Sequence, residues 1–516
     1  MTDKFQEIEL KFHCDIEGIK KLRRAQKVKD VATGNWRSRL LRAIYHDTAD
    51  LALKRAGIAL RTRKEGRYWV QTIKCNAKMH AGLSRVDEYH VRLRNEQLDL
   101  ERIEDMQVRQ LLEKACGGMP LTPVFETIIR RQYVQVAGPT GGVVEVSLDA
   151  GEVVVGGLIA PITEVEMELV QGPLEDLFQL AGGFMADIPF SFSSSNKASV
   201  GYGMLVEGRA TQAMPLHAKD FVLTDGANTE IAYRDALRAC LKQISHNLHV
   251  TRVSDHPEGP HQLRVGLRRL RSVFRVFKDV ADVPELRFLD GEARWLASQV
   301  GRLRDLDVLR DDIVAPVAKI RTEDQGFAQI AHELALAWDE AAPLVRANIN
   351  APRVGVFLLR LQAYCEGRGW IQMGDFTQTM RLARPISIHA ELTLDRLRRK
   401  CAKKAKKLEQ LSIEQRHDLR KELKKLRYAS DFFLCLYPKK KSEKFLKSLK
   451  KLQNIFGYLN DVAMAEELVA RHGHKSPEIS MALGYLLGWH HGEAEKAFAH
   501  ARVAWNNFAA TKAFWR

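Results

Sequence analysis

Through residues 5–205 the apolar positions recur mostly at every second residue, in short runs cut by turn residues. Glu7–Phe12, Ile58–Arg63, Tyr68–Lys74, Val143–Asp149 and Thr163–Val170 alternate in this way. That is the period of strands, whose successive side chains point to opposite faces. Gly138-Pro139-Thr140-Gly141-Gly142 and Gly156-Gly157 supply turns between runs. Helical spacing interrupts near Asp15–Lys27 and Glu101–Cys116. From about Glu230 the period changes to 3.6 in long segments. The expected fold is α+β: a β-rich domain over residues 1–205, a linker over 206–221 and an all-α domain over 222–516.

The helical region repeats itself. His261-Gln262-Leu263-Arg264 and Arg268-Arg269-Leu270-Arg271 return as His417-Asp418-Leu419-Arg420 and Lys424-Lys425-Leu426-Arg427, every position offset by 156. Gly301-Arg302-Leu303-Arg304-Asp305 returns at the same offset as Gly457-Tyr458-Leu459-Asn460-Asp461. Two related helical bundles are expected, over about 222–375 and 376–516.

Charge separates the two halves further. The 516 residues carry a formal net charge of +16, and residues 396–451 alone hold 21 Lys and Arg against 6 Asp and Glu. A field so concentrated suits a polyanion: nucleic acid, an anionic membrane surface or polyphosphate. Arg396–Lys407 contains no aromatic residue on which bases could stack, which ranks nucleic acid below polyphosphate. No apolar run approaches the ~18 residues that would span a bilayer, so no membrane partner is expected. The start lacks a signal-peptide core, and the seven cysteines are scattered, odd in number and without a C-x-x-C spacing. A reduced, cytoplasmic protein without zinc fits that usage.

The strands carry the chemistry. Glu7-Ile8-Glu9-Leu10-Lys11-Phe12 places its charges on one face, and Glu164-Val165-Glu166-Met167-Glu168-Leu169 does so with three carboxylates. Arg61 and Arg63 share a face, as do Glu145 and Asp149, and Lys74 lies beside Thr72. A polar sheet face in water usually mixes neutral residues in; here the charges are sorted by sign within strands. Carboxylates at i, i+2 and i+4 repel unless a cation sits among them. A hard divalent ion, Mg²⁺ or Mn²⁺, suits oxygen ligands without His or Cys. The Arg and Lys strands suit phosphate oxygens.

These motifs give the chain a family resemblance. Glu7-x-Glu9-x-Lys11, Tyr45-His46-Asp47-Thr48, Leu60-Arg61-x-Arg63-Lys64, Thr72-x-Lys74, Glu145-x-x-x-Asp149-x-Gly151, Glu164-x-Glu166-x-Glu168-Leu169 and Ser195-Asn196-Lys197-Ala198 follow in the order of the CYTH superfamily of triphosphate tunnel metalloenzymes. One departure is visible: two residues separate Arg85 from Glu88, where the family pattern has one. The resemblance implies an eight-stranded antiparallel barrel with a charged lumen and with Ile8, Leu10, Val165 and Leu169 facing outward. It implies that Glu7, Glu9 and Lys11 are catalytic and that Lys11, Arg61, Arg63, Lys74, Arg85, Arg130 and Lys197 hold triphosphate. Glu164, Glu166 and Glu168 would hold a metal ion, and Glu7 and Glu9 would hold a second or position water. Glu145 and Asp149 would ligate metal or orient Arg and Lys.

Residues 222–516 resemble the CHAD domain, an α-helical module similar to polyphosphate-binding domains. His261, Arg264, Arg268, Arg269 and Arg271 match its first signature, and His417, Arg420, Lys424, Lys425 and Arg427 its second. At about 100° per residue, His261, Arg264, Arg268 and Arg271 fall within an arc of roughly 80°, a basic stripe over three turns. Asp305 and Asp461 are expected to pair with and orient these cations. CYTH followed by CHAD is similar to the bacterial inorganic triphosphatases. The expected function is metal-dependent hydrolysis of inorganic triphosphate to diphosphate and phosphate, with polyphosphate bound by the helical part. Polyphosphate granules are one place such a protein would gather. The alternatives are a polyphosphate-binding scaffold with an inactive barrel, adenylate cyclase, thiamine-triphosphatase and polyphosphatase chemistry.

Overall fold

The computed structural model describes residues 3–193, 196–209, 212–223, 226–254, 256, 258–472 and 476–516. Ser195 of the last barrel motif, and Ala210 and Thr211 of the expected linker, lie outside them. The chain forms two compact units. The first unites Met1–Leu216, Leu241–Gly259 and Asn350–Gly367; the second unites His217–Cys240, Pro260–Ile349 and Arg368–Arg516.

The first unit is built on β1 (Asp3–His13), β2 (Arg37–Asp47), β3 (Ala59–Glu65), β4 (Tyr68–His80), β5 (Leu83–Leu93), β6 (Thr122–Ala137), β7 (Val143–Val155) and β8 (Leu158–Gln171). They pair antiparallel in the order β5-β4-β3-β2-β6-β7-β8-β1, and β1 closes onto β5. The expected eight-stranded barrel is therefore present, and closure leaves no long unpaired edge. A two-residue β9 (Ser191–Phe192) adds to the end of β1. The β4–β5 hairpin needs Gly82, at φ +85°, because a Cβ there would lie 2.9 Å from the Lys11 carbonyl and 2.6 Å from the Phe192 ring.

The barrel's outer face is apolar. Leu60, Ile73, Cys75, Tyr89, Val91 and Leu93 pack with Val108, Leu112 and Cys116 of the helix Met106–Cys116. Asp105 caps that helix by accepting from the Gln107 and Val108 amides, and Gly117 ends it at φ +59°. Leu10 and Phe12, on the outer face of β1, are wholly buried. Phe12 meets Phe190 edge-on at 4.9 Å and stacks on Phe192 at 5.7 Å.

Two segments beyond the expected domain boundary complete this unit. Within the helix Pro352–Glu366, Gly355 runs against the Phe190 ring, and Gln362 Nε2 donates to the His80 carbonyl at 2.6 Å. Arg252 donates to Ser191 Oγ at 2.9 Å. Both segments lie where the helical period predicts the all-α domain. Period alone does not say which surface an amphipathic helix covers.

The second unit is all helical. Glu258–Val276 matches Ile413–Phe433 at the offset of 156 to within a residue, whereas Pro477–Ala499 begins four residues before the position that the same offset gives for Gln325–Asn350. The helix Pro284–Val308 runs unbroken through Gly301, whereas its counterpart divides into Lys439–Ile455 and Tyr458–His472 at Phe456-Gly457. The halves share one apolar cluster. Leu309, Ile313, Val317, Phe327, Ile330 and Leu334 of the first interleave with Ala465, Leu468, Ile479, Leu483 and Leu486 of the second. The repeats are thus joined by a common core. All seven cysteines are free thiols, and among the described residues no helix is long and apolar enough to cross a membrane.

Gly355 gives a direct test of the helix on Phe190. A Cβ there would stand 2.5, 2.8 and 2.9 Å from three ring carbons of that buried side chain. Overpacking costs about 1–3 kcal/mol, against roughly 1 kcal/mol of helix propensity gained on replacing Gly by Ala. Gly355→Leu should therefore lower the urea midpoint of the whole chain, and Gly355→Ala should not raise it. A raised midpoint for Gly355→Leu would show that the helix does not rest on Phe190.

Candidate active site

Alternation on the closed strands directs Glu7, Glu9 and Lys11 of β1, Arg61 and Arg63 of β3, Lys74 of β4, Arg131 of β6, Asp149 of β7 and Glu166 of β8 into one cavity of about 400 Å³. That volume lies within the range of small-molecule sites. Lys197 enters from the first turn of the helix Lys197–Glu207. Asn196 caps that helix, with Ser199 returning the hydrogen bond in a capping box. The same helix packs Gly201 and Tyr202 against Phe125 of β6, with the Phe125 and Tyr202 rings edge-on at 5.0 Å. Its apolar face thereby fixes where Lys197 sits.

Inside the lumen the charges are paired in two groups. In one, Lys197 Nζ lies 2.8 Å from Asp149, 2.9 Å from Glu164 and 2.8 Å from Glu166. Arg131 holds Asp149 through two parallel bonds of 2.8 and 2.6 Å and also reaches Glu166. Lys11 bridges Glu9 at 2.9 Å and Glu166 at 3.2 Å. In the other, Lys74 contacts Glu7 at 2.6 Å and Glu88 at 3.1 Å, and Arg61 approaches Glu88 and the Tyr45 hydroxyl at 3.5 Å. Against the burial that would raise it, Lys74, His90 and Arg61 hold Glu88 well below the usual carboxylate range.

Glu168 stands apart. Register sets it directly opposite Glu145 on β7 and Glu9 on β1, so three carboxylates lie abreast on adjacent strands. Among the described residues Glu168 has no ion-pair partner. Burial, then Glu7, Glu9, Glu145 and Glu88, push its carboxyl up to about 8. Burial and Glu7 likewise raise Glu9 to about 7, outweighing the pull of Lys11. Like charges crowded in a closed space account for both shifts. Among the described residues no three His, Cys, Asp or Glu side chains are placed as a metal centre. The donor chemistry nevertheless fits a hard divalent ion, because these are carboxylates whose mutual repulsion a cation would relieve. Glu164 and Glu166 contact Lys197, Arg131 and Lys11, whereas Glu168 lies near Glu7, Glu9 and Glu145 with no cation paired to it among the described residues.

Two expected substrate ligands are corrected. Arg130 is exposed, and its neighbour Arg131 occupies the lumen. Ile128 and Ile129 precede the pair with one apolar residue of each parity, so alternation in the sequence does not decide between them. Arg131 lies opposite Asp149 in the register, which fixes the choice. Arg85 faces outward, opposite Ile8, with its guanidinium 3.9 Å from Glu366. The extra residue between Arg85 and Glu88 explains this, since two intervening residues put the pair on opposite faces of β5. Tyr45 belongs to the lumen, while Asp47 accepts from the Thr48, Leu53 and Lys54 amides and shapes the turn after β2.

In the second unit the two basic stripes come together. Partial burial, followed by Arg420, Arg268, Arg264 and Arg427, lowers Lys424 to about 8, so cations of both repeats bear on one ammonium group. Arg268 also lies 5.4 Å over the Tyr428 ring. Arg264 donates to the Gly301 carbonyl and to Asp305, each at 3.0 Å, and Asp461 acts on Arg420 in the equivalent place. The expected roles of Asp305 and Asp461 thus have a geometric basis. Arg271 pairs with Asp290 at 3.0 Å, and Arg427 with Gln453 at 3.1 Å and Asp431 at 3.6 Å. His261 is exposed and His417 half-buried. Arg269 and Lys425 leave the stripe. Arg269 donates to the Lys219 carbonyl at 2.7 Å and lies 4.2 Å over the Phe221 ring, and Lys425 pairs with Glu422 at 2.7 Å.

The position of Glu168 yields a pH test. Its folded value of about 8 lies above the ordinary 4.5, so the charged form opposes folding. That penalty is absent at low pH and grows as pH rises towards and through 8. Glu168→Gln should raise the melting temperature of the metal-free protein at pH 9 by a few degrees and leave it unchanged at pH 4.5. Equal melting temperatures for both proteins at pH 9 would remove Glu168 from the crowded carboxylates.

Comparison with known proteins bears on both units. Residues 6–189 match the CYTH domain model and residues 235–470 the CHAD domain model. An inorganic triphosphatase of Haemophilus influenzae is 32% identical over 163 residues, 31% of this chain and 44% of that protein. The chain therefore spans less than half the length of that curated relative. The solved CHAD domain of the plant Ricinus communis is 25% identical, with a TM-score of 0.48 over 58% of this chain and 98% of its own. HpAC1 of Hippeastrum, described as revealing a dominant triphosphatase activity, is 19% identical, with a TM-score of 0.30 over 40% of this chain and 97% of its own. PptA of Streptomyces chartreusis is 15% identical, with a TM-score of 0.43 over 54% of this chain and all of its own. The chain carries a CYTH domain followed by a CHAD domain.

Proposed function

We propose that the barrel hydrolyses inorganic triphosphate to diphosphate and phosphate with a divalent cation, Mg²⁺ or Mn²⁺, and that the helical unit binds inorganic polyphosphate. The observation that carries the first part is one closed barrel whose cavity gathers Arg61, Arg63, Lys74, Arg131 and Lys197, with Glu9, Glu168 and Glu145 abreast on adjacent strands of its wall. Phosphoryl transfer needs mainly positioning and charge neutralisation. Arg61, Arg63, Lys74, Arg131 and Lys197 turn their donors into the cavity, where phosphate oxygens would take the place of their carboxylate partners. Burial, Arg61 and Arg131 depress Arg63 to about 10, and an anion placed among these guanidiniums would relieve the strain. A divalent cation held by Glu7, Glu9, Glu145 and Glu168 would neutralise phosphate oxygens and polarise the phosphoryl group. Glu7 and Glu9, on the same face of the first strand, would hold that cation or position the attacking water. Lys11 bridges Glu9 and Glu166 and keeps the Glu9 carboxylate in place. The triphosphatase activity named for the Haemophilus relative supports the same reading.

In the helical unit, the cluster of Arg264, Arg268, Arg420, Lys424 and Arg427 is the proposed contact for polyphosphate, with His261 and His417 at the ends of the stripes. Cations that repel one another when free gain most from a repeating anion.

The whole protein, supplied with Mg²⁺, should release phosphate from triphosphate faster than from ATP, thiamine triphosphate or long-chain polyphosphate. Glu9→Gln, Glu166→Gln and Arg131→Ala should each lower turnover at least about 100-fold, the scale of one lost preorganised electrostatic contact. Arg130→Ala should stay near the starting rate. Wild-type turnover in Glu9→Gln and Arg131→Ala would refute a site in the lumen.

Arg268→Ala combined with Lys424→Ala should weaken polyphosphate binding and flatten its dependence on salt, because fewer counterions are released. Triphosphate turnover should not change. Duplex DNA or single-stranded RNA binding more tightly than polyphosphate at about 0.15 M salt would overturn this part.

A further inference from the structure

One surface of the second unit serves neither site. Met373, Phe376 and Met380 are 99%, 81% and 66% exposed, and Ile371 beside them is 40% exposed. Large apolar side chains scattered singly on a surface need no explanation, but these four fall within ten residues. Between Gly369 and Met380 the only charged residue is Asp375, and its carboxylate is engaged in capping the helix Phe376–Ala383 by accepting from the Gln378 amide at 2.8 Å.

The segment is held firmly. Gln378 is buried, donates to the carbonyls of Val280 at 2.9 Å and Trp370 at 2.7 Å, and accepts from the Gln372 amide at 2.9 Å. Trp370 is fully buried. Gly374, at φ +84°, makes the turn between Met373 and the helix. Satisfied polar groups thus anchor the loop from below, while its apolar side chains remain in water. That is the arrangement of a preorganised contact surface, charge-poor at its centre and rich in Met and Phe.

We propose that this face pairs with the same face of a second copy of the chain, in an isologous dimer centred on Phe376. The area is what a weak dimer of two such faces needs. Taking roughly 150–200 Å² per large side chain, the four exposed residues present about 500 Å² per copy, and two copies would bury on the order of 1,000 Å², the lower limit of a specific interface. The dimer is accordingly weak. The strong positive charge of the chain opposes it, and added salt screens that repulsion.

Sedimentation velocity on the full chain from about 1 to 100 µM at 0.15 M salt tests this. The expected result is a concentration-dependent rise towards the dimer, strengthened at about 0.5 M salt. Phe376→Glu and Met373→Glu should each return the monomer at every concentration, with unchanged melting temperature and triphosphate turnover. A monomer throughout for the wild-type chain, or a dimer that persists in Phe376→Glu, overturns the proposal.

Discussion

The first unit depends on one electrostatic constraint: charges directed into a closed barrel must neutralise one another. A carboxylate or ammonium taken out of water loses solvation worth several kcal/mol, and close opposite partners are what recover it. Asp149 and Glu166 meet this condition through Arg131 and Lys197, and Glu88 through Lys74 and Arg61. The apolar outer layer follows from the same arrangement. With the charges inside, Leu10, Phe12, Leu60 and Ile73 point outward and require cover. The helices Met106–Cys116 and Pro352–Glu366 meet that need.

The two proposed sites would recognise phosphate differently. In the lumen each cation already contacts carboxylates, so a substrate exchanges one set of partners for another in a space of low dielectric. On the helices the cations are partly solvated and crowd each other, as Lys424 records. The first arrangement favours fixed geometry, and selection by the length and charge of a small anion. The second favours a long anion of any register, held by its charge density and sensitive to salt.

Much of this was legible in the sequence, because strand alternation is a strict rule. Glu7-x-Glu9-x-Lys11 and Glu164-x-Glu166-x-Glu168 could share a face in only one way, and all six do. Where adjacent residues had the same character, the rule lost its force. Arg130-Arg131 after Ile128-Ile129 is the clear case, and the Leu40-Leu41 and Ala43-Ile44 doublets hid β2, whose Leu41 and Ala43 line the lumen. The resemblance carried Arg85 inward, while the spacing to Glu88 already carried the contrary information. Which carboxylates lacked cations was not legible at all. It depends on Arg131 and Lys197 arriving from β6 and from a helix distant in sequence. The 156-residue offset located the repeat, but the shared core of its halves is a property of packing.

The interrupted path of the chain through the first unit has a consequence for biogenesis. The strands are complete by Gln171 and the lysine-bearing helix by Glu207, yet the helix lying on Phe190 ends only at Glu366. At about 5–20 residues per second, a ribosome needs roughly 10–30 s to pass from the end of the expected domain to that helix. Throughout that interval Phe190 lacks the cover that Gly355 and its helix provide. Contacts so distant in sequence also slow the final docking. The late helix leaves this apolar surface in water during synthesis, an exposure that a contiguous barrel of the same strands would not have.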